Sequence, residues 1–166
     1  MITPKENIGA NLLVRQGAKP QTMTDATYIV SEIYDRLAAA MRNPQSCIVV
    51  AAVAFTSSSG ASGGKNTLTL ALFDDTASDC STEAVYDSDT YEYTWVADGA
   101  NHGVHVLPVN LKEANRYLRA KVKLTEAGTI TIADQSGTVF VIFGGMLQEP
   151  SSTFAAAGYE ETTEPT

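Results

Sequence analysis

Between residues 67 and 73 leucine returns at every second position. Leu68, Leu70 and Leu72 share one face of the chain, and Thr67, Thr69 and Ala71 share the other. Residues 117–125 repeat the pattern more strictly. Leu118, Ala120, Val122 and Leu124 fall on one side; Tyr117, Arg119, Lys121, Lys123 and Thr125 fall on the other. A period of two with polar side chains on the second face predicts half-buried antiparallel strands. Ile130 and Ile132 alternate with threonines, and residues 138–143 form a β-branched and aromatic run that predicts a strand buried on both sides. Residues 48–55 predict another buried strand. The Ser- and Gly-rich stretch 57–66 follows, and the strand pattern resumes at Thr67, which predicts a hairpin with a long tip. Residues 91–96 and 104–109 read as further strands flanking a turn-rich loop at 98–103.

Residues 27–41 carry two patterns at once. Ile29, Ile33, Leu37, Ala40 and Met41 have helical spacing, and Ala38, Ala39 and Ala40 favour helix. Residues 27–34 are nevertheless rich in β-branched and aromatic side chains, so a strand or a short helix fits, with a turn ending at Asn43 and Pro44. Seven or eight short strands separated by turns predict an all-β protein, mainly an antiparallel β-sandwich of jelly-roll or immunoglobulin-like topology. Residues 1–24 hold Pro4, Gly9, Gly17 and Pro20 without a sustained period. They read as an extended N-terminal arm whose sticky positions are Ile8, Leu12, Leu13 and Val14. Residues 25–147 read as the sandwich body. Residues 148–166, with four acids and no base, read as an acidic, flexible C-terminal tail.

Composition narrows the class. The chain has 166 residues, 44% of them apolar and 18% charged, enough to bury a core without disulfides or metals. Its longest apolar run, residues 47–55, is too short to span a bilayer as a helix, and the first residues lack the apolar core of a secretory signal. No membrane partner is expected. A net charge of −8 argues against a nucleic-acid partner. Cys47 opens an apolar run and Cys80 lies in a polar stretch; a reduced pair is the simpler reading than a bridge. Charge is also segregated. Residues 66–111 carry eight acids and no Lys or Arg, and the next dozen carry five bases. The row Arg119, Lys121 and Lys123 puts three like charges on one strand face, which repel unless an acidic partner lies opposite. That partner is either the protein's own 74–98 segment or another subunit.

Candidate chemistry is thin. His102 and His105, with Asp98 nearby, are weak metal-ligand candidates, because residues three apart on a strand point to opposite faces unless the chain bends at Gly103. Residues 59–66 imitate a phosphate-binding loop but have Ser59 where the first glycine belongs and Asn66 where a Ser or Thr would hold Mg²⁺. Asp74, Asp75 and Asp79 lack calcium-loop spacing and read as a solvated loop. Tyr91, Tyr93 and Trp95 share a strand face; a place in the core or at a subunit contact fits better than a sugar-stacking platform. Neither an enzyme nor a cofactor is expected.

Several segments in order carry a family resemblance. Ile33-Tyr34-Asp35-Arg36-Leu37 leads into Ser46-Cys47-Ile48-Val49-Val50, followed by the glycine-rich stretch and Leu68-Thr69-Leu70-Ala71-Leu72-Phe73-Asp74-Asp75. Asn115-Arg116-Tyr117-Leu118-Arg119-Ala120-Lys121-Val122 comes next, and Val139-Phe140-Val141-Ile142-Phe143-Gly144-Gly145 closes the body. This order resembles small β-sandwich virion proteins of tailed bacteriophages, which act as capsid decoration or cement proteins. The resemblance implies a structural protein on the capsid exterior, assembled in the host cytoplasm. Its partners would be the major capsid protein and its own copies, as a dimer or trimer. The residues expected to make contacts are Ile8, Leu12, Leu13, Val14 and Arg15 of the arm and the row Arg119, Lys121 and Lys123. The arm is expected to be dispensable for folding. A tail-tube or head–tail connector component is one alternative, and a carbohydrate-binding module using Tyr91, Tyr93 and Trp95 is another.

Overall fold

The computed structural model describes residues 12–41, 43–59, 65–94, 100–126 and 131–146, and the regular structure among them is entirely strand. In chain order the strands are β1 (Leu13–Gln16), β2 (Gln21–Thr22), β3 (Ile29–Val30), β4 (Tyr34–Asp35), β5 (Pro44–Ser59), β6 (Lys65–Asp75), β7 (Ala84–Thr94), β8 (Ala100–Asn110), β9 (Tyr117–Thr125) and β10 (Thr131–Met146). The period-two segments form strands because alternate side chains leave a pleated chain on opposite sides. Leu68, Leu70 and Leu72 of β6 and Leu118, Ala120, Val122 and Leu124 of β9 all point inward and are fully buried. Cys47, Val49, Ala51, Val53 and Phe55 of β5 and Val139, Val141 and Phe143 of β10 meet them from the other sheet. Each large side chain so buried contributes about 1.5–3 kcal/mol.

One sheet runs β1-β10-β5-β8, with β2 also on β10; the other runs β3-β9-β6-β7, with β4 also on β9. Every ladder is antiparallel. We call the first the β5/β10 sheet and the second the β6/β9 sheet. The chain changes sheet between β2 and β3, between β4 and β5, and between β5 and β6. It does so again between β7 and β8, between β8 and β9, and between β9 and β10. With β1/β2 and β3/β4 each counted as one broken strand, this is an eight-strand jelly roll rather than an immunoglobulin-like sandwich.

Three local expectations change, and one open choice is settled. β5 and β6 lie in different sheets, so residues 57–66 connect the two layers and do not close a hairpin. Asn101, His102 and Gly103 are paired residues of β8, not a loop. Of the two patterns in residues 27–41 the strand one prevails: the segment holds β3, β4 and turns, and Arg36 is drawn inward. Its guanidinium donates to the carbonyls of Leu111 and Ala114, each at 2.6 Å, and to Oδ1 of Asn43. On β10, residues 138–143 bury one face fully, while Phe140 and Ile142 on the other are only partly covered.

The described part of the expected arm is also in the sandwich. Leu13 to Gln16 pair with Phe143 to Phe140, and Gln21 and Thr22 pair with Gly137 and Ser136. Between them Ala18 N–H donates to Val139 O at 2.8 Å, and Thr138 Oγ1 donates to Ala18 O at 2.6 Å. Gly17 permits this close approach, since a Cβ there would lie 2.0 Å from the Val139 carbonyl oxygen. Ala18 and Met23 join the core. Residues 13–23 are therefore a strap that closes one edge of β10. Deleting residues 1–23 should lower stability by about 3 kcal/mol or more in urea denaturation, by exposing core and an unpaired strand edge. An unchanged midpoint would show that the strap adds nothing.

Candidate interaction surfaces

The two outer faces of the sandwich are built differently. On the β6/β9 sheet the basic row points outward, as its period requires. Glu83, from the turn between β6 and β7, reaches over it. Its Oε1 accepts a hydrogen bond from Lys121 Nζ, and its Oε2 lies 3.6 Å from Arg119 Nη1. Lys121 is largely buried; its Nζ stands 4.1 Å from the Phe73 ring centroid, and Ala71, its neighbour across the ladder, is buried. Lys123 Nζ lies 4.8 Å from the Tyr28 ring centroid, and Tyr28 meets Phe73 edge-on. The acidic counterpart of Arg119 and Lys121 is thus the protein's own 74–98 segment. Lys123 makes no ion pair among the described residues.

The β5/β10 sheet turns a different surface outward. Val14, Ile142, Ile48 and Pro108 form one row across its four strands. Phe140, Val50 and Val106 form the next, and Thr138, Ala52 and Val104 the one after. Val104 is 67% exposed, Val14 60% and Val106 46%. Val50, at the centre, is buried. Leu12 and Ser46 continue the surface at one end, where an open groove is lined by Ser46, Ile48, Pro108 and Asn110. No Asp, Glu, Lys or Arg occurs in these rows. A contiguous apolar sheet face of this extent marks an interaction site in a soluble protein.

The expected arm residues divide between the faces. Leu12 and Val14 belong to the apolar surface; Leu13 packs against the core, and Arg15 lies on the inward side of β1, opposite Val141. Ile8 lies outside the described residues, as do Asp98 and Trp95.

The metal candidates separate. β8 pairs with β5 without a register shift through Gly103, so His102 projects outward and His105 inward. Among the described residues no cluster of three or more His, Cys, Asp or Glu is placed to hold a metal. His105 Nε2 bonds the Tyr93 hydroxyl, and Tyr91 lies tilted against its ring. Burial pushes the imidazole down from its ordinary value, which favours the neutral ring. Gly103 makes room here, because a Cβ would fall 2.8 Å from the Tyr93 hydroxyl oxygen. Tyr91 and Tyr86 donate to the carbonyls of Val106 and Asn110 at 2.9 and 2.7 Å. Three tyrosines of β7 therefore tie it to β8 across the two sheets, and Tyr91 and Tyr93 face inward rather than forming a sugar platform.

The acidic turn is occupied by its own backbone. Asp75 accepts from the N–H groups of Ala77 and Thr82 and from Thr82 Oγ1; Asp79 accepts from Ser81 N–H; Asp74 accepts from Asn115 N–H. These bonds hold the Asp75 and Asp79 carboxyls below the ordinary 3.8, with Ala77 N–H the largest cause for Asp75 and Ser81 for Asp79. Cys47 and Cys80 are free thiols, and burial pushes Cys47 up to about 12. The apolar face was the main feature missed in the sequence. Its signal was present in the valines of β8 and the Phe140–Ile142 pair, which read instead as a strand buried on both sides.

Comparison with protein-family models and with curated proteins yields no match. Among solved structures, this chain is similar to one in the structure of the infectious bursal disease virus Gx strain. The two share 10% identity, over 81% of this chain and 32% of that one, with a TM-score of 0.44. This chain thus corresponds to about a third of that chain's length. A likeness of that degree assigns no function.

Two outcomes test this account of the charged groups. Glu83→Gln leaves the buried Lys121 ammonium without its counter-charge and should cost about 3 kcal/mol in denaturant unfolding. Adding Lys121→Met should recover most of that loss. The acid limb depends on Asp75 and Asp79. A carboxyl with a depressed folded pKa contributes stability that is present above its unfolded pKa of about 3.9 and is lost as pH falls through the lower folded value. Melting temperature should therefore fall between pH 4 and pH 2, and Asp75→Asn should lower the neutral-pH value and flatten that fall. Parallel curves for the two proteins would show that Asp75 is not responsible.

Proposed function

We propose that this protein is a structural virion component that binds the outside of a phage capsid shell and stabilises it. The observation that carries the reading is the uncharged apolar outer face of the β5/β10 sheet, a surface built to be covered within an assembly. The jelly-roll frame supports it, since this architecture serves capsid and lectin domains alike, and the inward-turned Tyr91 and Tyr93 weaken the lectin-like alternative. The described polar clusters work internally: Arg36 ties a corner, Glu83 pairs with Lys121 and Arg119, and Asp75 caps a turn. The resemblance of residues 29–145 to decoration proteins supplies the shell as partner. In this reading the shell contacts are the N-terminal residues, with Ile8, and Lys123, the cation of the basic row that Glu83 does not reach. Many copies bound over a lattice convert weak single contacts into firm attachment.

Co-sedimentation with expanded phage heads lacking the protein tests the proposal. Saturable binding and a raised head-disruption temperature are expected, with Lys123→Glu weakening binding about tenfold through repulsion from an acidic shell patch. Absence of binding to matched heads overturns it. Rings or tubes formed by the isolated protein would favour the tail-tube or connector reading instead.

A further inference from the structure

We propose that the apolar outer face of the β5/β10 sheet is the self-association surface of this chain, and that a second copy packs on it face to face as a symmetric dimer. The proposal rests on the assembly role above and names the occupant of that face.

Charge favours a second copy over a charged partner. The chain carries a net charge of −8, which makes two copies repel over most of their surface. The rows through Val14, Phe140 and Val104 bear no ionisable side chain, so contact there brings no like charges together. A basic partner would find no acids on this face to pair with. A two-fold contact, in which the same patch meets itself, asks only that the patch be self-complementary, and a flat face of valine, isoleucine and phenylalanine meets that condition.

Area is adequate. Four strands about 4.8 Å apart, followed over the nine residues of β5 from Ser46 to Ala54, give a face of about 19 by 27 Å, whose apolar centre is rimmed by Ser46 and Asn110 at one end and His102 at the other. Two such faces present about 1,000 Å² in projection, and pleating and side chains raise the accessible area toward the roughly 1,200 Å² at which specific interfaces begin. Pairing through sheet edges is less open. On one edge of this sheet the strap of residues 13–22 covers β10; on the other, tyrosine hydroxyls occupy the Val106 and Asn110 carbonyls of β8. The face is left as the larger unpartnered surface.

Sedimentation equilibrium of the full chain, without any shell, tests this separately from the capsid proposal. At tens of micromolar the protein should sediment at twice its 17.6 kDa chain mass and dissociate on dilution. Val104→Glu places a charge from each copy at the contact and should raise the dimer dissociation constant about 100-fold or more. Thr90→Glu, which puts the same charge on the exposed β7 strand of the other sheet, should leave it unchanged. Circular dichroism at a concentration where both are monomeric should show Val104→Glu folded; Val106→Ser, expected to weaken the dimer about tenfold, serves if it is not. A full chain that stays monomeric at 100 μM overturns the proposal, and points to residues 147–166 or the shell as the cover. A dimer that neither variant weakens places the contact elsewhere and overturns it equally. Capsid binding by a monomeric protein would leave the decoration role standing without this dimer.

Discussion

Two layers of inward side chains, Leu68, Leu70, Leu72, Leu118, Val122 and Leu124 from one sheet and Val49, Val53, Val139, Val141 and Phe143 from the other, hold the rest of this molecule in place. The jelly-roll path makes that interior indivisible. Apart from the β6–β7 pair and the broken strands β1/β2 and β3/β4, successive segments alternate between the layers, so neither sheet has a hydrophobic face to pack on until the other has formed. Stability should therefore behave as a single cooperative quantity across the described body. The edges are then closed by devices of small individual size: the Gly17 approach to β10, the Arg36 guanidinium at the corner between β4 and the β8–β9 turn, and the tyrosines that cross from β7 to β8.

With the interior fixed, the two outer faces diverge in chemistry. On the β6/β9 sheet, repulsion within the basic row is relieved by Glu83 and by the Phe73 and Tyr28 rings, against which Lys121 lies nearly buried. On the β5/β10 sheet nothing of the kind is present. Its outer rows are aliphatic and aromatic, and Val104, Val14 and Val106 remain in water. The other sheet of the same domain covers its outer face with polar and charged side chains, so the exposed apolar surface is specific to this sheet and not a consequence of composition. His105 and Asp75 are engaged in holding the fold, His105 with Tyr93 and Asp75 with the Thr82 turn.

Period-two alternation determined that β6 and β9 are strands, and it placed Leu68 to Leu72 and Leu118 to Leu124 inside and Arg119, Lys121 and Lys123 outside. Alternation is a local property of the pleated chain, so it is written in consecutive residues. The same information reached the all-β class and the sandwich. The choice of partner for each strand was settled only by tertiary structure. Residues 57–66 look like a hairpin tip in the sequence, yet β5 lies between β10 and β8 in one sheet and β6 in the other. Likewise the burial of Lys121 depends on Glu83, 38 residues away, and the role of residues 13–23 as a strap depends on β10, more than a hundred residues on. The apolar outer face follows the same rule. Val14, Ile142, Ile48 and Pro108 are scattered through the chain, and only strand register lines them up in one row.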